Sequence, residues 1–284
     1  MSAAHKTGLG SSAALVTSFT GALLSHYLPT STFSLTTDAG RAQLHNLAQI
    51  SHCAAQGKVG SGFDVAAAVY GTCVYRRFSP SILSSLGEPG SDGFESRVRH
   101  LVDNTGAEES AKWDTVISKG DVTIPAGYAL VMCDVDCGSE TVGMVKQVLS
   151  WRSSSSAEAD TLWDALQAAN SHLASILTAS KTDEFEAAFE DIRRKIREMG
   201  EKSGVPIEPK EQTELLDALT QEVNGVSGGV VPGAGGYDAV VLLVRDDEGT
   251  KRELEAWLER WSQEKGNKVK LLKAKGELDG ARSE

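Results

Sequence analysis

The sequence predicts an α+β fold, with helices covering one side of a largely antiparallel sheet and the chain divided near residue 120 into halves 1–120 and 121–284. Three observations predict it. Elements follow the order strand–helix–helix, then several helices, then strand–helix–strand. The best strand signal, residues 128–135, is an apolar run with turn residues on both sides. Each half also supplies one glycine-rich loop.

Element by element, Ala14, Leu15, Phe19, Ala22, Leu23 and Tyr27 recur at helical spacing, with Pro29 just past the end, and predict a helix over 13–27. Its small residues would let it pack close to a sheet. A second helix is expected over 41–56, with Leu44, Leu47, Ala48, Ser51 and Ala55 on one face, then a loop over 57–62 and a short helix over 63–70 ended by Gly71. A strand follows over 72–78. Residues 79–109, rich in Ser, Gly and Asp, read as a surface insertion with at most one short helix near 95–102. Strands are expected near 113–118 and over 128–135. Helices then dominate: 141–151, 158–179, 183–203 and 208–223, with 153–156 as an exposed serine linker. A glycine-rich loop over 225–236 leads into a strand at 237–244, followed by a helix over 252–264 and a strand over 268–272.

The 284 residues are 40% hydrophobic and 24% charged, ordinary for a globular protein, and no apolar run approaches the length of a membrane span. The net charge of −11 argues against a nucleic-acid surface but leaves a nucleotide pocket open. No secretory leader and no peroxisomal C-terminus are readable. Cys53, Cys73, Cys133 and Cys137 are expected as reduced structural thiols, and the chain as cytoplasmic.

Four motifs carry chemistry. In Lys6-Thr7-Gly8-Leu9-Gly10-Ser11-Ser12-Ala13 a glycine loop runs into a helix start, where unpaired N–H groups favour phosphate and serine hydroxyls suit phosphate oxygens or Mg²⁺. A serine-capped helix after a flexible loop is the plainer alternative. In Lys58-Val59-Gly60-Ser61-Gly62-Phe63-Asp64, Asp64 stands in the first turn of a helix, placed to take a proton or hold a cation, or simply to suit the helix dipole. The run 227–238, containing Gly233-Ala234-Gly235-Gly236, reads as backbone lying against a ligand or as a long turn, with Asp238 functional or a polar strand edge. Gly138-Ser139-Glu140-Thr141 is a hydroxyl-rich turn at a helix start, suited to an acidic substrate or to capping.

In this order the motifs resemble the superfamily of galactokinase, homoserine kinase, mevalonate kinase and phosphomevalonate kinase, over essentially the whole chain, and are most similar to phosphomevalonate kinases of the fungal type. The block from His52 through Gln56-Gly57-Lys58 to Asp64-Val65-Ala66-Ala67 and the turn Gly138–Val142 carry the finer likeness. The resemblance implies a two-lobed small-molecule kinase fold, with a ribosomal-protein-S5-like first lobe and a ferredoxin-like second lobe. It implies transfer of the ATP γ-phosphoryl to (R)-5-phosphomevalonate, on the mevalonate route to isoprenoids and sterols. A mevalonate or homoserine kinase, or a non-catalytic fragment keeping the fold, are the alternatives. By that resemblance Lys6, Gly8, Leu9, Gly10, Ser11, Ser12 and Ala13 would cradle ATP, Ser12 would lie near Mg²⁺, and Gly233, Ala234, Gly235 and Gly236 would close backbone amides over the site. Asp64 would be the catalytic aspartate, with Lys58 neutralising charge. Ser61, Gly62, Ser139 and Thr141 would meet the substrate. Gln56 stands where some relatives place a carboxylate metal ligand, so Mg²⁺ would rest largely on ATP oxygens and water.

Members of that superfamily carry an N-terminal block ahead of the first loop, with part of the sheet and much of the adenine pocket, and here four residues precede His5. The resemblance therefore implies a shortened first lobe with exposed strand edges and an apolar helix face, weak ATP binding and impaired activity.

Overall fold

The computed structural model describes residues 10–104, 112–135, 141–266, 268–272, 274 and 276–282, the side chains of 141 and 142 excepted. The described residues form two compact units, one from Leu9–Asp121 with Gly276–Glu284, the other from Val122–Lys275. The C-terminal residues, expected with the second half, thus pack on the first unit. There the Thr72 N–H and hydroxyl donate to the Glu277 carbonyl and the Ala281 N–H donates to the Val69 carbonyl.

The first unit contains α1 (Ser11–Tyr27), α2 (Asp38–Gln56), α3 (Phe63–Tyr70), β1 (Val74–Arg76), α4 (Ser81–Ser84), α5 (Phe94–Asp103) and β2 (Val116–Ser118). Thr37 caps α2 by accepting the Gly40 N–H, and Gly57 ends it in a left-handed conformation. The small face of α1, Ala13, Thr17, Thr20 and Gly21, is buried against α2 and α3. Gly21 faces Leu44, and Ala13 shares a core with Phe33, Leu44, Ala48, Val65 and Val69. Its neighbours are helices, where the small residues had suggested a sheet. The large apolar residues that mark the helical period face outward instead: Leu15, Phe19 and Tyr27 are 70%, 63% and 73% exposed.

β1 and β2 pair antiparallel, Tyr75 opposite Ile117. Residues 79–104 are not a bare surface insertion. They hold two helices, α4 and α5, and bury Ile82, Leu86 and Leu101 with Phe78 and Ile50 in a core of their own.

The second unit contains β3 (Tyr128–Val135), α6 (Thr141–Ser154), α7 (Ser156–Thr178), a 3₁₀ turn (Thr182–Glu184), α8 (Phe185–Ser203), α9 (Lys210–Glu222), β4 (Val226–Val230), β5 (Ala239–Arg245), α10 (Glu248–Lys265) and β6 (Val269–Leu271). Its sheet runs β4-β5-β3-β6, antiparallel throughout. Alternate residues of a strand point to opposite faces. Val240, Leu242 and Val244 of β5 pack with α9 and α10, whereas Leu243 packs with Ile176, Phe185 and Phe189 of α7 and α8. Helices therefore cover both faces of this sheet, not one, which is why β5 is apolar without alternation.

Two local expectations are corrected here. The serine linker 153–156 is helical apart from Ser155. Ser153 and Ser154 return their hydroxyls to the Leu149 and Trp151 carbonyls, so the polar side chains are satisfied within α6. The first part of the glycine-rich run is a strand, β4. Gly228 is there because a Cβ would stand 2.7 Å from the Phe189 ring, so helix packing, not a ligand, requires it.

Candidate active site

The first unit brings two of the motifs together. Gly10 caps α1 with φ 68°, the left-handed region, and a Cβ on it would lie 3.2 Å from the Asp64 Cβ. Only glycine meets both conditions. Among the described residues the first backbone bond of α1 is Ala14 N–H to Gly10 O, and no side chain caps the helix. The N–H groups of its first turn are therefore presented outward beside Asp64. Ala13 is fully buried, so its amide alone belongs to this face.

Asp64 lies in the first turn of α3, after Gly62, and its Oδ1 accepts the Val65 N–H at 3.0 Å. The loop ahead of it is tied down by β1 and the residue after it. Tyr75 donates its hydroxyl to the Ser61 carbonyl at 2.8 Å, and Arg77 donates to the Gly60 carbonyl at 2.8 Å and the Val59 carbonyl at 3.2 Å. Burial pushes the Tyr75 phenol up to about 12, so it stays a donor at neutral pH. Gly62 faces the Tyr75 hydroxyl and the Gln49 carboxamide, and Gln49 is fully buried.

Ser12 is exposed at the start of α1, and its hydroxyl lies 3.1 Å from Nε2 of the buried His52 on α2. Gln56 Nε2 approaches the same ring nitrogen at 2.9 Å. Gln56, where some relatives were expected to place a carboxylate, thus faces a histidine. Among the described residues no three His, Cys, Asp or Glu side chains come together to hold a metal. The donors present, a serine hydroxyl on α1 and a carboxylate on α3, are too few for a protein cage and fit a metal carried by a nucleotide. Lys58 is exposed on the same loop and forms no ion pair among the described residues.

The other site residues belong to the second unit or lie outside the described residues. Lys6, Gly8, Leu9 and Ser139 fall outside, and Thr141 is described only as the backbone that begins α6. The turn 233–236 is a backbone cradle pinned from one side. The Gly236 N–H donates to the Ile207 carbonyl at 2.8 Å and the Gly235 N–H to the Pro232 carbonyl at 3.2 Å. A Cβ on Gly235, at φ 85°, would run into that same Ile207 oxygen. These two amides are therefore spent inside the protein, which leaves the N–H groups of Gly233 and Ala234 as those able to face a ligand.

His52, Tyr75, Arg77 and Ile207 support these loops from 14 to 40 positions away. Only His52 had a signal in the sequence, its place at the head of the block ending in Asp64.

Residues 2–72 match the model of the GHMP kinases N terminal domain, and residues 184–263 match that of the GHMP kinases C terminal. The phosphomevalonate kinase of Gibberella zeae is 58% identical over 284 residues, covering 100% of this chain and 63% of its own. That of Aspergillus fumigatus is 49% identical, covering 99% of this chain and 60% of its own. The chain thus spans about three fifths of the length of these curated relatives. A solved structure, the Lin0012 protein from Listeria innocua, superposes with a TM-score of 0.68 at 20% identity, covering 96% of this chain and 71% of that one, which speaks for the fold alone. With both domain models of one family matched in order along it, the chain belongs to the GHMP kinase family.

Proposed function

We propose that the chain carries the reacting residues of a phosphomevalonate kinase, which moves the γ-phosphoryl group of ATP onto the phosphate of (R)-5-phosphomevalonate to give the 5-diphosphate and ADP. The observation that carries this reading is the contact of Gly10 with Asp64, which sets a helix start suited to phosphate beside a carboxylate. The names and high identity of the fungal relatives support the choice of acceptor.

In the transfer, the bond from Pγ to the β,γ-bridging oxygen breaks and its electron pair leaves with ADP. A new P–O bond forms to an acceptor phosphate oxygen. That acceptor is largely ionised near neutral pH, so Asp64 orients the acceptor and organises charge more than it removes a proton. The amides of Gly10 to Ala13, with Gly8 and Leu9 before them, hold the donor phosphates. Lys6 and Lys58 offset their charge. Ser61 and Gly62 in the first unit, and Ser139 and Thr141 in the second, are the candidates for binding the acceptor, and the turn 233–236 offers the amides of Gly233 and Ala234 to phosphate. The Ser12 hydroxyl would help hold a Mg²⁺ that arrives with the nucleotide, and that ion would supply charge neutralisation. Positioning and electrostatics do most of the work. Free Cys53, Cys73 and Cys133 agree with a reducing, cytoplasmic setting, and no helix among the described residues is long and apolar enough to cross a membrane.

The test is ADP release measured against phosphomevalonate, mevalonate and homoserine, with Asp64→Asn as control. Phosphomevalonate should be preferred, and the variant should lose about 10²–10⁴-fold in turnover with little change in nucleotide affinity. Preference for another acceptor, or full turnover by the variant, would overturn the reading.

A further inference from the structure

The second unit buries a charge pair. The Glu208 side chain is 1% exposed and the Arg193 side chain 5%. Glu208 Oε1 accepts from Arg193 at 2.8 and 3.1 Å, from Arg197 at 3.0 Å and from the Thr213 hydroxyl at 3.0 Å. Arg193 also donates to Asp217 at 2.7 Å, to Glu190 at 3.2 Å and to the Thr213 carbonyl at 3.3 Å. A buried ion pair is a weak source of stability, because apolar residues of similar volume commonly do as well. The pair does, however, fix a backbone.

Glu208 follows Ile207, whose carbonyl accepts the Gly236 N–H and blocks any side chain at Gly235. Four residues on, Gln212, 2% exposed, donates from Nε2 to the Tyr237 carbonyl at 2.8 Å. Residues 207–212 therefore hold the glycine turn at two points, and Glu208 ties that segment to α8 through Arg193 and Arg197. We propose that Arg193 and Glu208 are a positioning pair: they set Ile207, and Ile207 sets where the turn 233–236 presents its backbone. The functional meaning rests on the reading above, in which that turn faces the bound phosphates.

The experiment is residue-resolved amide hydrogen exchange on the full chain without nucleotide, so its result stands whether or not the chain transfers phosphate. In the volume-matched double variant Arg193→Met with Glu208→Leu, the Gly236 amide should exchange at least about tenfold faster while the β5 amides keep their protection. Unchanged exchange at Gly236, or an equal rise at Gly236 and across β5, would overturn the proposal, the latter showing a merely structural pair. Should the double variant not fold, Glu208→Gln keeps volume and one acceptor oxygen. The same local rise, smaller in size, supports the pairing, and wild-type protection at Gly236 overturns it.

Discussion

The two units solve the packing problem differently. The second closes a four-stranded sheet between helices, so Leu242, Leu243 and Val244 in β5 are all fully buried. The first packs three helices through small residues and leaves the large side chains of α1 in the open. Yet Ser12 and Asp64, which carry the proposed chemistry, stand in the first. Reactive loops are commonly drawn from the less stable part of a molecule, where backbone can be spared for a ligand.

The difference can be broken first where packing is densest. Leu242→Ala removes a side chain surrounded by α9 and α10, and should cost about 2–5 kcal/mol through lost burial and the cavity left behind. Denaturant unfolding followed by tryptophan fluorescence reads the loss, because Trp257 shares that core. A cost under about 1 kcal/mol would mean that the sheet collapses onto the gap, and that the second unit is not the tighter of the two.

Gly10→Ala probes the first unit. A side chain at φ 68° costs about 1–2 kcal/mol, and its Cβ presses on Asp64. Displacing a reacting group by about 1 Å can cost about 100-fold in rate, so turnover should fall much further than stability. Equal losses in both would remove the contact with Asp64 from the mechanism.

How much of this was legible in the sequence follows from the range of the forces involved. The helices α2 and α3 and the strand β3 announce themselves through local periodicity and the glycines that stop them, and the contact of Gly10 with Asp64 joins two local motifs. β4 was hidden because Gly228 and Gly229 read as loop residues, whereas their small size answers to Phe189 and to the neighbouring strand. For α1 the period alone shows a stripe, not which side the core lies on, and the structure turns the small residues inward. Tyr75 and Arg77 hold carbonyls 14 to 18 positions away, and Ile207 holds Gly236 across 29, contacts that no local pattern encodes.

A subtler contrast concerns pH. His45 in the first unit is buried between the Tyr70 and Trp113 rings. Asn46 spends its Nδ2 on the Leu101 and Val102 carbonyls, so its Oδ1 faces His45 Nδ1 and receives that proton, while Nε2 has no partner among the described residues. Burial lowers the His45 pKa below its ordinary 6.5, against a smaller raising effect of the Asn46 bond. Below pH 6.5 the unfolded chain therefore takes up a proton that the native ring refuses, and stability falls with pH until the lowered native value is passed. His45→Leu should flatten the slope of stability against pH below 6.5, at most about 1.4 kcal/mol per pH unit for one proton. An unchanged slope would place the acid sensitivity elsewhere.

The smallest effect should come from the most conspicuous residues. Leu15, Phe19, Leu23 and Tyr27 repeat every four positions on the outside of α1, where each already meets water in the folded chain. Replacing Phe19 with Gln removes no buried contact, so unfolding free energy should shift within about ±0.5 kcal/mol, ten times less than the largest cost expected for Leu242. What should change is association. An apolar stripe this long drives chains together, so light scattering at a fixed concentration should fall in the variant while its unfolding midpoint holds. If the midpoint drops by several degrees instead, Phe19 is packed in solution and the two units are filled alike, which would end the comparison on which these expectations rest.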